Sequence, residues 1–282
     1  MLPKLLIVNA DDYNTDPERN RGIIEAGRCG IVTSASVITN RPWLKGARED
    51  LIETFAAGTG VHLNLTGGTP LTGDTRTLTG ANGRFFPKPQ AWRRALLRRY
   101  SLREVRIEFE AQITRLYRDG IVPDHLDGNN HIHIFPGITA ATAMLAKRFN
   151  IGYVRLPREP FRNPLELLRP GGLKKLFFLL LCRLARKTLR RAGLRFSNRL
   201  AGIQQPRVWK VKELQKYLTS LPPGITELMC HPGYAAENRN PFSSLRRQDE
   251  LNALTHPDIL RTIEKNGIIL CSYGELREHE QE

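Results

Sequence analysis

The sequence predicts an α/β fold in which helices alternate with the strands of a parallel sheet, either open or closed into a barrel. Short segments rich in branched apolar residues alternate with longer segments of helical spacing, and no segment is repeated. The chain has 282 residues, of which 40% are hydrophobic, so one large domain can bury a core. Polar side chains follow the apolar segments, as at the carboxyl ends of parallel strands.

The first half of the chain predicts three strands, with a helix after the first. The run "KLLIVNADD" predicts a buried strand that ends in Asp11 and Asp12, and "DPERNRGIIEAGRCG" predicts a helix because Pro17 suits a first turn. "IVTSASVI" is β-branched and predicts a second strand. "GTGVHLNLT" alternates with a period of two and predicts a third strand, which carries His62. Residues 67–90 predict a long irregular excursion because they are rich in Gly, Thr and Pro.

The second half opens with a helix whose predicted capping box lies at Ser101. The stretch "DHLDGNNHIHIF" then predicts a strand with Asp127, Asn129, His131 and His133 on one face. The remaining predicted elements are a helix near 137–149, a strand "GYVRL", an insertion over 157–205, a strand "TELMCHPG" and a last strand "GIILCS". We therefore expect a single domain, 1–282, that carries one insertion.

The net charge of +15 is concentrated in one segment. Residues 167–212 contain 13 Lys or Arg and no Asp or Glu, which leaves 30 basic and 28 acidic residues elsewhere. No signal peptide and no apolar run of about 18 residues are recognised, so we expect a cytoplasmic protein. Four scattered cysteines indicate reduced thiols and neither a disulfide frame nor a zinc–thiolate site.

Each chemical side chain also has a purely structural interpretation. Asp11 and Asp12 are compatible with a turn. They are also compatible with two chemical roles, in which one aspartate binds a metal ion and the other is a general base. His62 alone is more typical of a hydrogen-bonded structural histidine. The pair His131 and His133 can bind a metal or a substrate. His231, between an apolar strand and a Pro-Gly turn, suits either a general acid or a capped strand end.

Five motifs together resemble the YdjC-like carbohydrate deacetylases. They are "LLIVNADDYN", "NRGIIEAGRCGIVTSASVITN", "GVHLNLTGGTPL", "HLDGNNHIHIFPGI" and "ELMCHPGY", in that family's order and spacing. The family includes chitooligosaccharide deacetylases and deacetylases associated with hopanoid biosynthesis. The resemblance covers roughly residues 4–156 and 225–276. It implies a distorted β/α barrel and hydrolysis of the N-acetyl group of amino sugars with one divalent metal ion, Mg or Zn.

The resemblance also implies roles for individual residues. Asp11 resembles the general base, Asp12 the first metal ligand and His62 the second. His231 falls where the family has a catalytic or substrate-orienting histidine. The family usually has histidine as its third ligand, where this chain has Asn129.

Four details qualify the site implied by the resemblance. An Asn129 carbonyl oxygen suits a harder cation better than zinc, and His131 is the alternative third ligand. Asp127 and His133 belong to the same metal-and-substrate stretch. Arg155 either pairs with Asp11, holds substrate or forms a surface ion pair. Tyr13-Asn14 replaces the Phe-Gly that commonly follows the two aspartates.

The basic segment predicts an amphipathic helix within residues 169–199. Its expected apolar stripe consists of Leu173, Leu176, Phe177, Leu180, Leu181, Leu184 and Thr188. The stripe and its cations are typical of a helix at an anionic membrane surface, although a core-packing helix with a solvated basic face has the same pattern. Nucleic acid is the least favoured partner, because base-reading residues are not interleaved.

We therefore expect a cytoplasmic, metal-dependent N-deacetylase of an acetamido sugar, with a lipid-linked substrate and a peripheral position on the inner membrane face. A basic insertion of this kind fits the hopanoid-associated branch, whose substrate is a lipid-linked N-acetylglucosamine. Two alternatives stay open. One is a soluble chito-oligosaccharide deacetylase, and the other is a non-catalytic, membrane-associated sugar-binding relative.

Overall fold

The protein is represented by a computed structural model that describes residues 2–73, 75–161, 163–168, 170–203, 208–235 and 244–276. The strands are β1 Lys4–Tyr13, β2 Ser34–Val37, β3 Thr59–Leu63, β4 His125–Gly128, β5 Tyr153–Val154, β6 Arg199–Ala201, β7 Gly224–Cys230 and β8 Ile268–Leu270. The α-helices are α1 Pro17–Arg28, α2 Ala47–Thr54, α3 Lys88–Leu96, α4 Leu102–Arg118, α5 Ile138–Arg148, α6 Gly172–Arg191, α7 Val211–Thr219, α8 Leu245–Leu254 and α9 Pro257–Lys265. Two 3₁₀ helices, Asn129–Ile134 and Pro164–Leu168, complete the elements.

The strands form one sheet in the order β5-β4-β3-β2-β1-β7-β6, with β8 also paired to β1. Six pairings in this sheet are parallel: β1 with β2, β7 and β8, β3 with β4, β4 with β5, and β6 with β7. Strands alternate with helices along most of the chain, as the sequence predicts. The predicted α/β fold of distorted-barrel type is confirmed. Strand β6 was not predicted, because it lies inside the segment expected to be a helical insertion.

The local sequence explains why β1 and α1 form where they do. From Leu5 to Asp11 every residue of β1 is buried, as expected for a strand covered on both faces. At the start of α1 the side chain of Asp16 accepts a hydrogen bond from the Arg19 amide at 3.0 Å. Pro17 follows in the first turn, where its missing N–H costs nothing.

The chain divides into two compact units. One unit comprises Met1–Val37, Trp43–Thr59 and Ser197–Glu282, and the other comprises Ile38–Pro42 and Gly60–Phe196. In the first unit, β1 lies between β2 and β7, with α1, α8 and α9 among its helices. In the second unit, β3, β4 and β5 are adjacent strands and α3 to α6 are the helices.

Two glutamates of α4 hold the excursion that follows β3. The Thr77 amide donates to Glu104 at 2.9 Å, and the amides of Leu71 and Thr72 each donate to Glu108 at 3.1 Å. At the predicted capping box, the Ser101 hydroxyl accepts the Glu104 amide at 3.4 Å. The Glu104 carboxylate therefore anchors the excursion through Thr77, a contact that a capping box does not predict.

The basic segment forms the 20-residue helix α6. Its buried face carries Phe178, Leu181, Cys182, Ala185 and Leu189, at spacings of three and four residues. The predicted stripe is therefore wrong at Leu181, which belongs to the buried face. Of the other members, Leu173, Leu176, Leu180 and Leu184 are exposed, and Phe177 and Thr188 are partly exposed. None of the helices in the described ranges is long and apolar enough to cross a membrane.

Candidate active site

The end of β1 separates the two adjacent carboxylates. Asp11 is only 2% exposed, and one of its oxygens accepts a hydrogen bond from the Asn9 side-chain amide at 2.9 Å. Asp12 has a φ of +69°, so the chain turns there and the strict alternation of a strand ends. The Asp12 Oδ2 is paired with the Arg19 guanidinium at 2.5 Å, and Arg19 itself is 1% exposed.

His231 follows the last residue of β7, next to β1 in the sheet. The β1–β7 ladder runs as far as the pair Ala10 and Cys230, so it brings the residues that follow these two close together. The His231 Nε2 lies 4.0 Å from the Asp11 Oδ2. The imidazole is partly exposed, whereas the carboxylate is buried. This places a proton carrier at the edge of a buried carboxylate.

His62 and Asp127 face each other across β3 and β4, where they are register partners. The His62 Nδ1 lies 2.8 Å from one Asp127 oxygen, and the Arg155 guanidinium lies 2.7 Å from the other. All three side chains are buried. Burial raises the pKa of Asp127, but the Arg155 guanidinium and His62 outweigh it and hold that pKa well below its usual range.

The ionised Asp127 fixes the tautomer of His62. A carboxylate can only accept, so the hydrogen is on the His62 Nδ1 and the lone pair is on Nε2. Metal-binding histidines commonly have this arrangement, in which a carboxylate accepts the other ring N–H. Arg155 neutralises the Asp127 carboxylate. Because the Arg155 side chain is completely buried, the predicted alternative of a surface ion pair formed by Arg155 is wrong.

His62 is the side chain best suited to hold a metal ion among these three. Its neutral imidazole carries the lone pair on Nε2, and a nitrogen donor of this kind suits a divalent cation. Because Asp127 already accepts from His62 and Arg155, its main contribution is to orient the imidazole.

The histidine-rich stretch is not the strand that was predicted. Strand β4 ends at Gly128, and Asn129–Ile134 form a 3₁₀ helix in which Asn130 and His131 have positive φ values of 54° and 56°. A side chain at Gly128 would collide with the His133 ring, since its Cβ would lie 2.6 Å from Nδ1. The period of two therefore stops at Gly128, and the prediction of one shared face is wrong.

The three polar residues beyond Gly128 have different surroundings. The Asn129 carboxamide donates to Asn64 at 3.3 Å and accepts from Asn130 at 2.9 Å. His131 packs edge-on against Phe178, with ring centroids 5.6 Å apart. Burial holds the pKa of His131 well below its usual value, with Arg155 adding to the effect. His131 is therefore a neutral imidazole.

His133 is bound to the backbone rather than directed toward a ligand. Its Nε2 lies 2.9 Å from the Arg155 carbonyl oxygen, which can only accept, so Nε2 carries the hydrogen. Burial lowers the pKa of His133 to about 4. This histidine stays neutral near pH 7 and ties the 3₁₀ helix to the residue that follows β5.

Sequence reasoning missed two residues that contact the site. Arg19 lies on α1, seven positions after Asp12, and pairs with it. Asn9 holds Asp11 and also donates to the Ser36 hydroxyl at 2.9 Å. A polar residue inside the apolar run of β1 was a signal for Asn9, whereas nothing in the pattern around Arg19 distinguished it from a surface arginine.

Comparison with known proteins identifies the family. The sequence profile of the YdjC-like protein family matches residues 5–265. The chain belongs to the YdjC-like protein family. A mouse protein named carbohydrate deacetylase is 32% identical over 300 residues, covering 96% of this chain and 94% of its own. One of the same name from Clostridium beijerinckii is 29% identical and covers 96% and 99%.

A solved structure has a similar fold. A protein from Enterococcus faecalis V583, named for cellobiose-phosphate cleavage, superposes with a TM-score of 0.75. It is 24% identical, and the match covers 97% of this chain and 99% of that one. This likeness supports the fold alone. The resemblance to the YdjC-like family predicted from the five motifs is confirmed by the sequence profile and the similar deacetylases.

Proposed function

We propose that this protein is a metal-dependent hydrolase that removes the N-acetyl group from an acetamido sugar. The hydrogen-bonded chain His62–Asp127–Arg155 carries the proposal, because the ionised Asp127 holds His62 as a neutral imidazole with its lone pair on Nε2, the arrangement common in metal-binding histidines. Family membership and the names of the carbohydrate deacetylases it resembles support the reaction class.

The side chains proposed as ligands are of the types that bind a divalent ion. We assign His62 through Nε2 and Asp12 as ligands, with Asn129 as the third and His131 as its alternative. The Arg19 pairing at Asp12 Oδ2 is compatible with this, because ligating carboxylates are commonly hydrogen-bonded by a second residue. Metal titration of Asn129→Ala and His131→Ala separates the two candidates for third ligand. A bound divalent ion would supply a Lewis acid for the acetamide carbonyl.

The protein groups supply the proton transfers. Asp11 is buried and fixed by Asn9, and its Oδ2 lies on the side of His231, so it can take a proton from an attacking water. His231 is partly exposed and can give a proton to the departing amine. Breaking the amide in this way yields acetate and a free amino sugar.

The reaction class is tested by acetate release. Purified protein, loaded with Mg²⁺ or Zn²⁺, is expected to release acetate from N-acetylglucosamine oligomers or from a lipid-linked N-acetylglucosamine, and a chelator should abolish release. Saturable sugar binding without acetate release, for every metal and substrate tried, would support the non-catalytic alternative and refute the proposed hydrolase.

We further propose that the substrate is lipid-linked and that the enzyme works in the cytoplasm, on the inner membrane face. Support comes from α6, where Leu173, Leu180 and Leu184 are 76%, 53% and 56% exposed. The exposed cations Lys174, Arg183, Lys187, Arg190 and Arg191 lie on the same helix, which has no carboxylate. Each such cation adds about 1 kcal/mol at an anionic surface.

Vesicle flotation is expected to show this binding. The protein should float with phosphatidylglycerol vesicles and much less with phosphatidylcholine vesicles, because both apolar burial and charge are needed. Changing Leu180 and Leu184 together to Ser should abolish flotation. The matched control changes Leu96 and Leu97, also exposed, to Ser and should leave it intact.

Acetate release then separates the two substrate classes. Efficient turnover of free oligomers by a protein that does not float would favour the soluble chito-oligosaccharide alternative. Preference for the lipid-linked sugar, lost in the double Ser variant only when the substrate is in vesicles, would support the membrane assignment.

A further inference from the structure

The edge of β7 next to β6 loses its strand partner before His231 is reached. The pairing of β6 with β7 ends at Ala201 and Leu228, while β7 continues on its other edge along β1 as far as Cys230. After β6 the chain turns away at Gly202, whose φ of +103° and close approach to the Met229 carbonyl leave no room for a side chain. The last backbone groups of β7 on this edge therefore need other partners.

Two side chains supply those partners. The buried indole of Trp209 donates to the Met229 carbonyl at 3.2 Å. The carboxylate of Glu250, on α8, accepts the His231 amide at 3.1 Å. The Met229 carbonyl and the His231 amide are two residues apart and so lie on the same edge of the strand. Glu250 therefore takes the place of a β6 residue at the position of His231.

Among the residues that the structure describes, three groups donate to the buried Glu250 carboxylate. It is 2% exposed, and besides His231 it accepts from the Trp209 amide at 3.5 Å and from the Arg247 guanidinium at 3.4 Å. The charge of Arg247 also interacts with the charges of Arg19 and Asp12, so Glu250 is not its only charged neighbour. A buried carboxylate that receives three donors at such distances is poorly compensated for its desolvation.

Resting on the proposed function, we propose that Glu250 is a positioning residue for His231. It accepts the His231 N–H and so fixes the backbone from which the imidazole reaches Asp11. Leucine or glutamine at 250 would fill the space, but only an ionised carboxylate accepts all three surrounding donors at once. The role is distinct from catalysis, because Glu250 acts through the His231 backbone.

The ionisation state of Glu250 makes this role measurable. Burial raises its pKa to about 7, against the lowering effect of Arg247 and of the two backbone amides. Below that pH the protonated carboxyl presents a hydrogen toward donors and loses acceptor capacity. Activity should therefore fall as the pH drops through about 7. The effect of Glu250 on the stability of the fold has the opposite direction. Because its pKa is higher in the folded protein than in the unfolded chain, its protonation stabilises the fold fully below the pKa of the unfolded chain. This stabilisation is lost as the pH rises through about 7.

Kinetics of Glu250→Gln test the proposal. We expect kcat to fall about 10- to 100-fold with little change in KM or metal content, as for a displaced catalytic group. The acidic limb of the kcat/KM profile near pH 7 should disappear. The matched control is Asp249→Asn, the neighbouring exposed carboxylate on the same helix, which should behave as wild type. Wild-type kcat and an unchanged acidic limb in Glu250→Gln would overturn the proposal.

A spectroscopic measurement separates this proposal from the deacetylase assignment. In protein labelled with ¹⁵N-histidine, the His231 amide signal, identified by its loss in His231→Gln, should shift with a midpoint near pH 7. The shift should vanish in Glu250→Gln and persist in Asp249→Asn. A signal that does not titrate in the wild type, or that titrates equally in Glu250→Gln, would refute the role of Glu250 whether or not acetate is released.

Discussion

Asp127→Asn is expected to destabilise the protein and weaken metal binding together. Asp127 is completely buried and is the shared acceptor for His62 and Arg155. An amide of the same size can satisfy only one of the two donors and carries no charge, so the buried Arg155 guanidinium loses the negative charge of Asp127. Breaking a buried pair in this way costs about 3–5 kcal/mol. In a chain of this size that lowers Tm by about 6–20 °C.

The metal-binding effect follows from the tautomer of His62. Without a carboxylate acceptor, the hydrogen is no longer held on Nδ1, and Nε2 ceases to be a fixed donor to the ion. Loss of such a partner typically weakens metal affinity about 10- to 100-fold. Thermal unfolding and metal titration of the variant measure both effects.

A matched control shows whether these effects are specific to Asp127. Asp119→Asn removes a carboxylate from a partly exposed pair with Arg115 at 2.9 Å and should change stability by no more than about 1 kcal/mol. If Asp127→Asn behaves like Asp119→Asn in both measurements, His62 does not depend on Asp127 and the assigned orientation is wrong.

The framework of this site could be predicted from the sequence because it follows from local patterns. Apolar runs that end in polar residues gave β1, β3 and β7, and parallel strands bring their carboxyl ends to one edge of the sheet. His62 and Asp127 are neighbours for that reason alone. Pro17 and the Ser101 capping box gave the starts of α1 and α4 within one or two residues.

What the sequence did not show depends on contacts between distant segments. Beyond Gly128 the alternating pattern suggests a strand, but the close packing of His133 against Gly128 and two left-handed residues produce a 3₁₀ helix instead. Leu181 fits either face of α6, and packing against the rest of the protein decides which. Arg19 and Glu250 were missed because their partners, Asp12 and the His231 amide, are set by tertiary structure.

Asp11→Asn and Asp12→Asn are expected to abolish activity for different reasons. Both replacements keep the size of the side chain and remove its negative charge. If Asp11 is the general base, its loss should lower kcat by about 10²- to 10⁴-fold while the metal content stays near that of the wild type. If Asp12 is a ligand, its loss should weaken metal binding, so that saturating metal restores part of the activity of Asp12→Asn and none of the activity of Asp11→Asn.

Metal content measured beside acetate release decides the assignment. The opposite result is also informative, because Asp11 is a buried carboxylate, whereas the Asp12 Oδ2 is already paired with Arg19. Should Asp11→Asn lose the metal and Asp12→Asn retain it, the two roles are exchanged and Asp11 is the ligand. Asp249→Asn serves again as the control for removing a carboxylate, and its activity and metal content should match the wild type.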